Sequence, residues 1–298
     1  MQINPGNLAA MFDGFNTRFN QAFEGAQSAY ERVSTVMPST GRNENYGWLA
    51  QIPGFREWIG PRVLNSLTGG SYTIKNVPFE STISVSRDDI EDDQYGIFGP
   101  LFSEMGRRSK QHPDELIFSL IKNGFVEKGY DGQFFFDTQH PVGNGVSIPT
   151  APVANTDGGD GPSWFLLDTS RAIRPFIFQL RRPYNLVAKS DDRDENVFML
   201  REFVYGVDAR CNAGFGLWQL AWGSQQALDA SSYETARKAM MSFTDDHGKL
   251  LGVVPDTLVC GPSNEKAALS LLNAATLANG ASNVYANTAK LIVTPYLD

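Results

Sequence analysis

Residues 88–125 read DDIEDDQYGIFGPLFSEMGRRSKQHPDELIFSLIKNGF, and this stretch decides the fold class. Asp88, Asp89, Glu91, Asp92 and Asp93 gather at its start, while Arg107, Arg108, Lys110 and Lys122 come later. Negative charge at the beginning and positive charge toward the end both complement a helix macrodipole. Ile97, Leu101, Met105, Leu116 and Leu120, joined by Phe98 and Ile117, keep one apolar stripe, because Met105 and Leu116 stand close to three turns apart. Pro113 has no N–H to donate and should bend the helix, and Asn123-Gly124 should end it. The expectation is one long, bent helix.

On the N-terminal side, residues 46–87 change to a period of two. Tyr72 and Ile74 alternate with polar residues, as do Phe79, Ile83 and Val85, with Glu80, Thr82, Ser84 and Ser86 on the other face. Leu67 to Ser71 reads as a turn between strands at 62–67 and 72–76, which makes an extended ribbon. A two-stranded ribbon is marginal alone and needs something to lie on. Trp48, Phe55 and Trp58 ahead of it add large apolar surface. Further back, Phe12, Phe15, Phe19 and Phe23 recur at helical spacing, followed by a polar break from Pro38 to Asn45. That helix either packs on its own core or acts as an arm that docks on a neighbouring subunit.

On the C-terminal side, Phe134–Phe136 reads as a short strand and Gly143 to Gly161 as an extended loop. Strands are expected at 164–168, 175–179 and 197–208, and helices near 216–228 and 233–244. A strand at Thr257–Cys260, a helix from Pro262 to about Leu277 and a last strand at 291–294 complete the reading. Strands and helices mixed without regular alternation indicate an α+β protein.

The chain has 298 residues, 42% hydrophobic and 19% charged, enough for one large domain or about two. With Lys+Arg 25 against Asp+Glu 33, the net charge is -8, which excludes a basic nucleic-acid footprint for the whole chain. Cys211 and Cys260 cannot build a disulfide framework or a four-cysteine zinc site and suit buried free thiols in a reducing compartment. The first residues lack the basic start and unbroken apolar stretch of a signal peptide, and no run approaches the roughly 18 apolar residues that span a bilayer. A soluble protein made in the cytoplasm, with no membrane partner, is expected.

The search for chemistry is empty. His112, His140 and His247 lie in different contexts, without metal-ligand spacing, and His140 before Pro141 reads as a locally bonded turn residue. Nucleophile-elbow, phosphate-loop and dinucleotide fingerprints are all missing from the sequence. Asp191, Asp192, Asp194 and Glu195 around Arg193 suit a solvated hairpin tip, and Asp157 and Asp160 only loosely resemble a calcium loop. No catalytic residue, cofactor or metal is assigned. What remains is a sticky arm, an unsupported ribbon and a long helix, features of a protein that makes contacts with copies of itself.

Five blocks in order carry a family resemblance: SYTIKNVPFESTISVSRDDIEDDQYG (71–96), DGQFFFDTQHP (131–141), SWFLLDTSRAIRPFIFQLR (163–181), YGVDARCNAGFGLWQLAWGS (205–224) and PDTLVCGP (255–262). Together they resemble the Mu-like phage major head subunit. The resemblance implies the HK97-like capsid fold of tailed phages. It places an N-terminal arm at 1–45, an extended loop at 46–87, and a peripheral domain with its spine helix at 88–130. The remaining peripheral strands and the axial domain fall at 131–298. In many capsids of this fold a strand like 164–168 follows one like 291–294, so the order here implies a permuted chain with its end near Trp164. The implied function is an icosahedral shell of hexamers and pentamers enclosing double-stranded DNA without binding it tightly. Portal, scaffold or protease, and decoration proteins are the accompanying partners, and the implied location is the virion. Phe12, Phe15, Phe19, Phe23, Trp48, Trp58, Leu64, Leu67, Tyr72 and Ile74 are the expected contacts between subunits. Replacing the phenylalanine stripe with serines should then leave a folded subunit that cannot assemble. An encapsulin-like nanocompartment and a metal-dependent hydrolase are the alternatives.

Overall fold

Asn4 accepts the backbone N–H of Asn7 at 2.8 Å and Pro5 opens the first turn of helix α1, Pro5–Gly25. The structure is a computed structural model and describes residues 3–50, 72–92, 94–143, 150–191, 193–276 and 280–298. A short α2 (Tyr30–Val33) leads into β1 (Ser34–Pro38), and β2 (Asn43–Asn45) pairs antiparallel with β3 (Thr73–Lys75). β4 (Val77–Ser86) follows, then α3 (Arg87–Glu91) and the long α4 (Gly99–Asn123). Next come β5 (His140–Val142), β6 (Ala151–Val153), β7 (Thr156–Gly159), β8 (Trp164–Leu167) and β9 (Phe176–Lys189). The chain closes with α5 (Glu195–Leu200), β10 (Glu202–Phe215), β11 (Ala221–Gln225), α6 (Ala230–Met241), β12 (Thr257–Cys260), α7 (Pro262–Leu272) and β13 (Lys290–Val293).

Two mixed sheets organise these elements. The first has the order β1-β9-β10-β4, with β9 and β10 forming its long central hairpin and β1 parallel to β9. On its face lie α1 and α4. Leu8, Met11, Phe15 and Phe19 of α1 are buried with Phe102 and Met105 of α4 and with Val85, Leu186, Phe203 and Tyr205 of the sheet. The second sheet has the order β13-β12-β8-β11-β7. All four residues of β8 and of β12 are buried, so these strands read as continuous apolar runs. Cys260 stands opposite both Trp164 and Val293, which puts the last strand one strand away from Trp164 in the same sheet.

Several elements differ from the expectation. The acidic residues near 88 do not open the long helix: Ser86 caps the separate α3 by accepting the N–H of Asp88, and a 3-10 turn at Gln94–Phe98 intervenes before Gly99-Pro100 restarts the chain as α4. From there α4 runs unbroken through Pro113, which is buried within it. Its buried face is Phe102, Met105, Ser109, Pro113, Ile117 and Ile121, while Ile97 and Leu101 are exposed, so the inward stripe is offset from the one read in the sequence. Residues 216–228 hold a 3-10 turn at Trp218–Leu220 and then β11, not a helix. Residues 195–200 form α5, not the start of a strand. The stretch 143–161 contains β6 and β7, and Phe135 and Phe136 are core residues outside any strand. β3 pairs with β2, and the expected partner strand at 62–67 lies outside the described residues.

Candidate assembly surfaces

The phenylalanine stripe closes on the chain itself. Phe15 and Phe19 are buried, while Phe12 and Phe23 are half-buried against the rings of Tyr205 and Tyr184. Gly106 makes this possible: a Cβ there would collide with the backbone carbonyl of Phe19, so only glycine lets α1 settle so closely on α4. The α1 stripe was legible, but its partner was not, because the signal was one glycine and one phenylalanine in a helix about ninety positions away.

The ribbon base behaves likewise. Ile74 is buried and packs over Gly214, where any Cβ would clash with its side chain. Tyr72 is half-buried, its hydroxyl accepts the backbone N–H of Phe215 at 2.8 Å, and burial pushes its pKa up to about 12. Trp48 is half-buried beside Tyr46, the ring centroids 6.2 Å apart. Trp58, Leu64 and Leu67 lie outside the described residues. Phe15, Phe19 and Ile74 are thus covered by their own chain: burial within one subunit satisfies the apolar demand that the sequence alone assigned to a neighbour.

Exposed apolar surface lies elsewhere. Phe198, Met199 and Leu200 stand together at the tip of the β9–β10 hairpin, exposed to 79%, 68% and 64%. They pass unnoticed in a helical or strand pattern because three consecutive apolar residues fit neither period on one face.

The groups that could carry chemistry are built into the frame. His140 is fully buried, with Nδ1 2.6 Å from Asp131 Oδ2, Nε2 3.1 Å from Asn155 Oδ1, and its ring stacked on Trp218. Asn155 in turn donates to the backbone carbonyl of Phe135 and accepts the N–H of Asp137, so the cluster fastens the loop 131–142 to the second sheet. His112 Nδ1 lies 2.6 Å from the Tyr184 hydroxyl between α4 and β9, and burial holds the imidazole below its ordinary range. Among the described residues no three His, Cys, Asp or Glu side chains are grouped to hold a metal ion, and no helix is long and apolar enough to cross a membrane.

This arrangement, a hairpin sheet backed by a long helix and joined to a second mixed sheet, is that of a phage shell protein. A chain from the procapsid of bacteriophage JBD30 superposes with a TM-score of 0.87 at 41% identity, covering 99% of this chain and 100% of that one. A chain from the JBD30 capsid decorated with minor capsid protein trimers superposes with a TM-score of 0.78 at 31% identity, over 94% of this chain and 93% of that one. In sequence, the major capsid protein of Escherichia phage Mu is 40% identical over 305 aligned positions, covering 100% of both chains. The family described as Mu-like prophage major head subunit gpT matches residues 8–297, and the chain belongs to it. It is accordingly a tailed-phage capsid subunit that forms the head shell; it is a structural protein and not an enzyme.

Proposed function

We propose that copies of this chain close an icosahedral head from hexamers and pentamers, with double-stranded DNA enclosed inside. The observation that carries the reading is that the match to the phage Mu major capsid protein runs through the full length of both chains, arm, hairpin sheet and second sheet alike. The net charge of -8 supports a wall that confines DNA without gripping it, since phosphate contacts need a cationic surface. Synthesis takes place in the bacterial cytoplasm. Portal, scaffold or protease, and minor capsid proteins such as those decorating JBD30 are the accompanying partners.

Contacts between copies use the surfaces that the single chain leaves uncovered. Phe12 and Phe23 on α1, with Trp48 and Tyr72, keep part of their side chains accessible, and Trp58, Leu64 and Leu67 complete the proposed set. Each subunit then presents different patches to different neighbours, and many modest contacts add up over a closed shell. The chain expressed with the scaffold of its phage and imaged by negative-stain electron microscopy should show closed shells or ring-shaped capsomers. Only monomers at every concentration tested would overturn the reading.

A further inference from the structure

Between α4 and the first sheet the chain leaves a cavity of about 350 Å³. Its floor is Met105, Val207 and Ala209, all buried, and its walls are the half-buried rings of Phe79, His112 and Tyr184. The cavity therefore draws on α4 and on three strands, β4, β9 and β10. At the roughly 30 Å³ that liquid water takes per molecule, it holds about a dozen non-hydrogen atoms, and it falls within the range of ordinary ligand pockets.

Hydrogen bonds decide what such a cavity can hold. His112 Nδ1 and the Tyr184 hydroxyl are 2.6 Å apart, short for an N–H donor, whose contacts to oxygen begin at about 2.7 Å, and ordinary for an O–H donor. Tyr184 thus donates to Nδ1, while burial disfavours the charged imidazole. The remaining ring proton then sits on Nε2. Nε2 has no partner among the described residues, yet it is not sealed off as the Tyr205 hydroxyl is. Other polar groups of the lining are already engaged. The Ser109 hydroxyl donates to the Met105 carbonyl at 2.8 Å, Glu80 accepts the Thr82 hydroxyl at 2.6 Å, and Arg108 donates to Glu104 at 2.9 Å. Glu80, Glu115 and Arg108 give the exposed mouth charges of both signs, so the rim selects neither an anion nor a cation. A charged guest would also have to shed its water over the apolar floor.

We propose that this cavity binds a small, uncharged, largely apolar molecule with one hydrogen-bond acceptor, seated on Met105, Val207 and Ala209 and taking the Nε2–H of His112. Such a guest touches helix and sheet together and binds only the folded chain, so it stabilises the subunit by mass action. The site belongs to the single subunit and does not depend on how copies assemble.

The test titrates the full chain with three probes, followed by thermal melting and by the nitrogen-15 signals of its histidines. Acetophenone is a neutral aromatic ketone, ethylbenzene keeps the ring without the acceptor, and benzoate carries a charge. Acetophenone should raise the melting temperature saturably and move the Nε2 signal of His112. It should bind about tenfold more tightly than ethylbenzene, the worth of one hydrogen bond, and benzoate should leave the melt unchanged. His112→Phe keeps a ring and loses the donor, so ketone and hydrocarbon should then bind equally. Ser81→Trp narrows the mouth from an exposed position and should weaken both. Melts without probe show that each variant is folded; should His112→Phe fail to fold, the wild-type comparison and Ser81→Trp decide. The proposal is overturned by a melt that millimolar acetophenone does not raise, by ethylbenzene or benzoate binding as tightly as the ketone, or by a full response in Ser81→Trp.

Discussion

The ring of Phe15 lies on that of Phe102 with centroids 4.1 Å apart and planes 14° from parallel, and Tyr205 meets both edge-on at 5.4 and 5.3 Å. These three aromatics tie α1, α4 and the central hairpin together. Offset stacks and edge-to-face pairs of this kind contribute beyond the area they bury.

Phe15→Ser with Phe19→Ser should therefore unfold the subunit more easily, not merely block assembly. Large-to-small changes at buried aromatic positions cost about 3–5 kcal/mol each, and two neighbours will not add fully. A marked fall in the urea midpoint is expected; an unchanged midpoint with assembly lost would mean that α1 packs on another copy.

Tyr205 hides a hydroxyl that finds no hydrogen-bond partner among the described residues. Removing an unpaired buried polar group relieves a desolvation penalty of about 1–3 kcal/mol, so Tyr205→Phe should leave stability unchanged or raise it. Thermal melting of the two chains side by side decides this, and a clear loss would reveal a partner for that oxygen.

Asn155→Ala should destabilise by about 2–3 kcal/mol, since it strips His140 Nε2, the Asp137 N–H and the Phe135 carbonyl of their common partner inside the protein. Hydrogen exchange should rise first in residues 131–142. Uniform exchange across the chain would contradict the clamp.

Acid should act through His112. Burial holds this imidazole below 6.5, so the native state keeps it neutral while the unfolded chain takes up a proton. Its stabilising contribution is present above pH 6.5 and is lost as pH falls through the lowered folded-state value. Asp114 opposes this: burial pushes its carboxyl above 3.8 despite the Tyr30 and Ala29 N–H groups, so its contribution is present below 3.8 and lost as pH rises. Urea midpoints between pH 7.5 and 5 should fall less in His112→Phe than in the wild type, and parallel slopes in the two would exclude His112 as the source.

Thiol chemistry offers another check. Burial raises the pKa of Cys211 and pushes that of Cys260 up to about 12, leaving almost no thiolate at neutral pH. Ellman's reagent should react with neither cysteine in the native subunit and with both in urea. Rapid labelling of one in buffer would show that its strand opens.

Much of the frame was legible in the chain. The strand Thr257–Cys260 and the start of the helix at Pro262 are legible, because an apolar run bounded by Asp256 and Gly261-Pro262 admits little else, although the helix ends at Leu272 and not near Leu277. The α+β class and the Mu-like family also stood out. Residues 216–228 misled because Leu217, Trp218, Leu220, Ala221 and Trp222 are all buried, which erases any period that separates helix from strand. Phe15, Phe19 and Ile74, read as contacts with a neighbour, are instead covered within the chain. A stripe such as Phe12–Phe23 reports that a face must be covered, while the identity of the cover depends on distant Gly106 and Phe102. The exposed triplet at 198–200 falls inside the strand the sequence suggests at 197–208, since no periodic rule flags apolar side chains that face water together.

Asp114 of α4 takes the N–H groups of Ala29 and Tyr30, at 2.9 and 2.7 Å, and Lys122, about two turns further along the same helix, donates to the main-chain oxygen of Asp298 at 2.7 Å. The segment leaving α1 and the stretch at Asp298 are thus moored to a single rod. One helix therefore fixes two segments that are far apart in the sequence, and loosening its C-terminal half would release both together.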